Sequence, residues 1–185
     1  MKLVLATQNP KKLKEMNEIL SHLGVEVVSE AELGVRIEVE ETGETFTDNA
    51  RLKATAVMQA TGLPAVADDS GLCVDALNGG PGVYSARFGG EGLDDKGRYT
   101  LLLEMLRGQT DRAAHFHTSI VCAFPNGDEL VCEGECPGTI AFAPMGEGGF
   151  GYDPVFFVPE LRKTFGQLTA EEKRCAPLPR HSTTI

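Results

Sequence analysis

The chain has 185 residues, 42% of them hydrophobic, and carries 17 Lys and Arg against 27 Asp and Glu, a formal charge of −10. That length supports one domain with a real core and is short for two independent ones. The acidic balance excludes broad coating of nucleic acid, which needs a basic face, but leaves room for a small nucleotide held by a local lysine cluster and a cation.

The opening run Met1 to Ala6 is too short for a signal peptide, and no stretch approaches transmembrane length, so neither nucleic acid nor membrane is expected as a partner. Leu3 to Ala6 reads as a short buried strand and Thr7 to Pro10 as the turn after it. Leu13, Met16, Ile19, Leu20 and Leu23 recur at helical spacing and stop at Gly24. Lys11 and Lys12 therefore fall at a helix start, where the dipole favours anions; a cation pair there fits phosphate binding or a solvated face.

Residues 30–44 are acidic and irregular, and a second helix is expected from Phe46 to Thr61 with Phe46, Ala50, Ala54, Val57 and Met58 as its apolar stripe. Lys53 lies beside that stripe, its stem able to cover core while its ammonium reaches a cleft. Two short strands follow, Leu63 to Asp69 and Leu72 to Val74. The first ends on Asp68-Asp69-Ser70-Gly71, which is either ordinary turn chemistry or a place where carboxylates meet a metal and a phosphate.

Asn78 to Gly82 reads as a loop and Asp94 to Leu106 as a third helix. Ala114 to Phe124 alternates as a long strand, and Asn126-Gly127 turns it back into Glu129 to Cys136, a hairpin. His115 and His117 share one face of that strand. With no third ligand in evidence they read as packed hairpin histidines rather than a metal site. The five cysteines (Cys73, Cys122, Cys132, Cys136, Cys175) are odd in number and lack zinc-site spacing, which points to a reduced, cytoplasmic compartment. Gly146 to Pro154 is Gly-rich and precedes a strand from Val155 to Val158. Helices separated by strands, then a long hairpin, give an α/β fold with a mixed sheet.

Asn9-Pro10-Lys11-Lys12 after a first strand, Glu40 to Phe46, Asn49 with Lys53, Asp68 to Gly71, Pro81 to Arg87 and Gly148 to Pro154, taken in order, resemble the noncanonical purine nucleoside triphosphate pyrophosphatases, the XTP/dITP/ITP diphosphatases. The resemblance is collinear from residue 1 to about Lys173. It implies an elongated mixed sheet flanked by helices and a single domain, residues 1–185, of two lobes with a central nucleotide cleft. It also implies Mg²⁺, a homodimer, and hydrolysis of ITP, dITP or XTP to the monophosphate and pyrophosphate, which keeps these nucleotides out of nucleic acids.

By the same resemblance Glu41 and Asp69 hold the metal, and Asp69 is the general base, preferred over Asp68, which would cap backbone N–H groups. Lys12 and Lys53 supply catalytic charge. Thr7, Gln8, Asn9, Pro10, Lys11, Lys12 and Ser70 hold phosphate oxygens, and Phe150, Gly151, Tyr152, Asp153 and Lys173 contact the nucleotide, Phe150 with its aromatic face on the base. A 6-oxo purine accepts a hydrogen bond where adenine donates one, so donors placed there mispair adenine. A related pyrophosphatase of the Maf type is a weaker match, given Phe150-Gly151-Tyr152-Asp153 and Glu41-Thr42-Gly43.

The tail, residues 174–185, departs from the family's Ser-His-Arg-Gly and terminal helix. Pro177 and Pro179 forbid a regular helix, and Arg180 and His181 stand in reversed order. The reading therefore expects reduced stability and weaker nucleotide binding, and its alternative is a nucleotide-binding protein that is catalytically weak or silent.

Overall fold

Leu3, Leu5, Val27 and Val66 alternate along the chain with Val4, Val28, Ala65 and Ala67, and both sets are buried. Such alternation requires strands covered on both faces. A computed structural model of the chain describes residues 2–7, 10–20, 22, 24–90, 92–175 and 182–184, without the side chains of residues 10–12, 15, 19, 170, 174, 175 and 182–184.

The elements are β1 (Lys2–Leu5), α1 (Pro10–Leu20), β2 (Glu26–Ser29), α2 (Phe46–Thr61), β3 (Ala65–Val74), β4 (Gly80–Pro81), α3 (Asp95–Met105), β5 (Ala113–Ala123), β6 (Glu129–Ile140), β7 (Phe156–Val158), β8 (Lys163–Thr164), α4 (Ala170–Cys175) and β9 (Ser182–Thr184). The strands hydrogen-bond in the order β2-β1-β3-β5-β6-β7-β8, with β4 on β3 and β9 on β6. β1 runs parallel to β2 and β3, while β4, β7, β8 and β9 pair antiparallel. The fold is the expected open mixed sheet flanked by helices.

Two units are distinguishable. One comprises Met1–Asp69, Thr118–Glu133 and His181–Ile185. In it Val4, Ala6, Val28, Ala65, Ala67, Val121 and Ala123 pack against Ala50, Ala54 and Val57 of α2. Leu3, Leu5, Val27 and Val66 face the other way, toward Leu13, Met16 and Leu20 of α1. α2 begins where Thr45 accepts from the Asp48 N–H and ends at Gly62, whose φ of 67° and N–H bond to the Met58 carbonyl stop it. Thr47 on its first turn donates to Glu133 (2.6 Å) and bonds Ser119 (2.8 Å), and Arg51 makes a forked pair with Glu129, so the helix is fixed to β5 and β6.

The other unit comprises Ser70–His117 and Gly134–Arg180. Its core gathers Leu72, Val74, Leu102, Leu106 and Val155 around Phe116, Phe156 and Phe165, whose ring centroids lie 4.6 to 5.7 Å apart. Arg112 donates to the Leu106, Ile140 and Ala141 carbonyls, satisfying backbone that its neighbours leave open.

Three local readings change. Leu63 to Asp69 and Leu72 to Val74 are one strand, β3, because Ser70-Gly71 stays extended and the Leu72 N–H finds Ser85 Oγ at 2.9 Å. The loop at Asn78 to Gly82 carries β4, entered through Asn78 in the left-handed region. β6 continues past Cys136 to Ile140, since Gly138 leaves room for Phe157, whose carbonyl would lie 2.7 Å from a Cβ there. Of the tail, residues 176–181 lie outside the described residues, and Ser182–Thr184 pair with Val131 to Glu133 as a strand.

Candidate active site

β3 carries Ala65 and Ala67 on its α2 face, so period-two alternation turns Asp69 to that face. On α2, Asn49 and Lys53 are four residues apart and share a side of the helix. The result is a compact ionic group. Lys53 Nζ donates to Glu41 Oε1 at 2.9 Å and to Asp69 Oδ1 at 3.0 Å, and Asn49 Nδ2 donates to Asp69 Oδ2 at 3.3 Å. The side chains of Lys53, Asp69 and Glu41 are 19%, 13% and 28% exposed, partly dry yet open to solvent.

Burial disfavours the Lys53 ammonium, but the Glu41 hydrogen bond and the Asp69 charge more than offset it, so its pKa lies above the ordinary lysine value. Burial likewise disfavours the Asp69 carboxylate. Lys53 pulls back while Glu41 adds to the rise, and Asp69 ends above its ordinary value. A carboxylate lifted this way is a better proton acceptor than a free one.

Glu41 is delivered by the irregular acidic segment, and two contacts hold that segment down. Gly43 N–H donates to Asn49 Oδ1 at 2.8 Å, and Ile37 N–H donates to Glu30 Oε2 at 3.0 Å. Gly43 is required by space: a Cβ would stand 2.7 Å from both Asn49 Oδ1 and Asp48 Cβ. Beside the ionic group lies a cavity of about 410 Å³ lined by Thr7, Lys53, Asp68, Glu30 and Ile37 among others. Asn49, which is wholly buried, ties Gly43 to Asp69 and is a functional residue whose role the sequence reading did not assign. Its place one turn before Lys53 was the available signal.

The second unit holds the residues expected to contact the nucleotide, Phe150, Gly151, Tyr152, Asp153 and Lys173. Lys173 Nζ donates to Asp153 Oδ2 at 2.6 Å, which also accepts from the Phe150 N–H at 3.2 Å, and the Gly151 N–H donates to Asp95 Oδ2 at 2.7 Å. Lys173 is set by α4, whose start is a capping box: Thr169 N–H to Glu172 at 2.9 Å and Glu172 N–H to Thr169 at 3.1 Å. Gly149 has φ +86°, and a Cβ there would overlap the Asp153 carboxylate and reach 2.7 Å from Lys173 Nζ. Phe150 is 68% exposed and offers its ring to solvent.

Tyr152, expected at the nucleotide, has its side chain engaged within the protein. It is 5% exposed, its hydroxyl donates to the Ser85 carbonyl at 2.8 Å, and burial pushes its pKa up to about 12. Its side chain is a prop for the loop, because the hydroxyl is already engaged. Thr7 lines the cavity and Ser70 is exposed on β3. Gln8 and Asn9 lie outside the described residues, as do the side chains of Pro10, Lys11 and Lys12, so the expected phosphate turn and the charge of Lys12 are not part of this geometry.

Among the described residues one group of three metal-ligating side chains occurs, His115, His117 and Glu135, with ligand atoms within 4.8 Å of one another. Glu135 is the third partner that the sequence reading lacked. No described helix is long and apolar enough to cross a membrane.

The chain is similar to known proteins over most of its length. The sequence profile of the Ham1 family matches residues 3–176. A dITP/XTP pyrophosphatase of Exiguobacterium is 50% identical over 173 residues, 94% of this chain and 88% of that protein, and one of Thermus thermophilus is 51% identical over 175 residues, 94% and 84%. The solved structure of a HAM1 protein from Coxiella burnetii superposes with a TM-score of 0.91 at 43% identity, covering 95% of this chain and 91% of that one. A nucleoside-triphosphatase/dITP/XTP pyrophosphatase structure from Mycobacterium abscessus gives 0.82 at 45% identity, covering 95% and 90%.

Proposed function

Because the chain belongs to the Ham1 family, we propose that it hydrolyses noncanonical purine nucleoside triphosphates, ITP, dITP and XTP, to the monophosphate and pyrophosphate. The observation that carries this reading is the convergence of Glu41 and Asp69 on Lys53, with Asn49 bracing the far carboxylate oxygen. The alternative of a silent binder draws no support: this group is assembled from residues 41 to 69, and the family match runs through residue 176, into the first residues of the divergent tail.

The donor set fits Mg²⁺, since two carboxylates already aim hard oxygen atoms at one cationic point, and Mg²⁺ commonly takes one or two carboxylates and leaves its other positions to water and phosphate. Glu41 and Asp69 would hold it, and it would neutralise charge on the triphosphate and the departing pyrophosphate.

The chain's own residues account for the proton and the geometry. Asp69 takes the proton of the attacking water as the water oxygen bonds to the α-phosphorus and the bond to the bridging oxygen breaks, releasing pyrophosphate. Lys53 and Asn49 fix both Asp69 oxygens, so the base does not rotate out of line. Thr7, Ser70 and the turn through Lys12 are assigned to phosphate oxygens. The base is assigned to the Phe150 ring, with Gly151, Asp153 and Lys173 as polar contacts. Residues 1–185 act as one catalytic domain, in a cytoplasmic homodimer.

The test is Mg²⁺-dependent pyrophosphate release from ITP, XTP, ATP and GTP, with Asp69→Asn beside the parent. Release from ITP and XTP but not ATP or GTP, reduced about 10²- to 10⁴-fold in the variant, is the expected result. Equal turnover of ATP, or an Asp69→Asn enzyme as fast as the parent, overturns it.

A further inference from the structure

The hydrolysis assigned above uses neither histidine of β5. Ala114 and Phe116 of that strand pack into the aromatic core, so His115 and His117 project together from the opposite face. On neighbouring β6, Cys136 packs into the same core and Glu135 faces away from it. His117 Nδ1 lies 3.2 Å and His115 Nε2 3.8 Å from the same oxygen, Glu135 Oε1.

Three donors at bond lengths near 2.0–2.2 Å around a tetrahedral zinc ion are about 3.4 Å apart, and the two observed separations bracket that value. The side chains are 31%, 19% and 58% exposed for His115, His117 and Glu135, so an ion can enter. Cys73 of β3 also points away from the core that takes Leu72 and Val74; burial, with the Glu135 and Asp75 charges adding to it, pushes its thiol up.

We propose that His115, His117 and Glu135 form a second metal site, for a transition dication of borderline softness such as zinc, distinct from the two carboxylates assigned to Mg²⁺. Imidazole nitrogen suits zinc, copper or nickel and is a poor ligand for Mg²⁺, so the two sites discriminate by chemistry. Two imidazoles and one carboxylate leave a fourth position for solvent or a ligand from outside the chain. The ion would clamp β5 to β6.

The test uses the full chain in excess Mg²⁺, titrated with Zn²⁺ against a competing chelator, together with Co²⁺ as a spectroscopic stand-in. One equivalent of Zn²⁺ per chain, a tetrahedral Co²⁺ spectrum and a rise in Tm with Zn²⁺ are expected. His117→Gln and Glu135→Gln should each weaken Zn²⁺ binding by at least about tenfold, while Asp69→Asn should not. Circular dichroism of each variant establishes that it is folded. Absence of a stoichiometric Zn²⁺ site in the parent, or affinity unchanged in a folded His115→Gln/His117→Gln double variant, overturns the proposal and leaves two imidazoles sharing a carboxylate.

Discussion

Replacing Lys53 with Met removes the cation between Glu41 and Asp69 while keeping the stem that packs beside the α2 stripe. Each carboxylate oxygen is 2.9 or 3.0 Å from the same nitrogen, so the two are no more than about 6 Å apart once it is gone. Coulomb repulsion at that separation is about 1–3 kcal/mol for effective dielectric constants between water and a protein surface. Breaking a fully buried pair costs about 3–5 kcal/mol, and these groups retain some solvent, so a loss of about 2–4 kcal/mol is expected for Lys53→Met.

The loss depends on pH in a definite direction. Asp69 already lies above its unfolded value of 3.8, and removing Lys53 raises it further in the folded state only. The destabilisation is therefore complete above the folded pKa and fades as pH falls through it toward the unfolded value. Urea unfolding of parent and variant near pH 8 and near pH 5 reads this directly. Mg²⁺ should restore part of the variant's stability, about 2.7 kcal/mol when present at a hundred times its Kd. A loss below about 1 kcal/mol that is the same at both pH values and indifferent to Mg²⁺ refutes the reasoning.

Since Asp69 must be ionised to accept a proton, kcat/KM should fall as pH is lowered through its titration; an Asp69→Asn variant whose residual activity keeps the same acid limb would remove Asp69 as the base. Gly43→Ala should cut kcat/KM at least about tenfold with a smaller change in Tm, because the added Cβ meets Asn49 and Asp48 and lifts the segment that delivers Glu41. Phe150→Ala, at an exposed ring, should leave unfolding within about 0.5 kcal/mol of the parent while raising KM for ITP. Parent-like KM in that variant would take the base off Phe150.

The α2 boundaries were readable from sequence because their causes are local: a Thr45 cap with Asp48 three residues on, and a glycine stop at Gly62. The split assigned to β3 came from treating Ser70-Gly71 as a breaker. What keeps the strand whole is Ser85, fifteen residues beyond Ser70 in sequence and invisible to a local reading. Lys53 and Asp69 were identifiable as types, but their meeting depends on strand parity and on which face of the sheet α2 covers. Asn49 shows the same limit, since its value lies in joining Gly43 to Asp69. Glu135 was within reach. The hairpin closes with the Phe124 N–H on the Asp128 carbonyl, and counting back equally along both strands sets His117 opposite Glu135. Tyr152 entered the nucleotide contacts by resemblance alone, and its hydroxyl is occupied within the protein.

Six of the ten residues in the buried layer between α2 and its sheet are alanine: Ala6, Ala50, Ala54, Ala65, Ala67 and Ala123. Small side chains let the helix lie close to the strands, and that thin layer determines how far Lys53 has to reach to touch Asp69. Thickening it with a valine or leucine is an obvious route to a larger hydrophobic gain elsewhere, but here each added methyl group would act as a spacer under the helix that carries the lysine. Overpacking costs about 1–3 kcal/mol in its own right. It would also open the ion pair by a fraction of an ångström at every step, so stability and turnover both hold these positions to alanine.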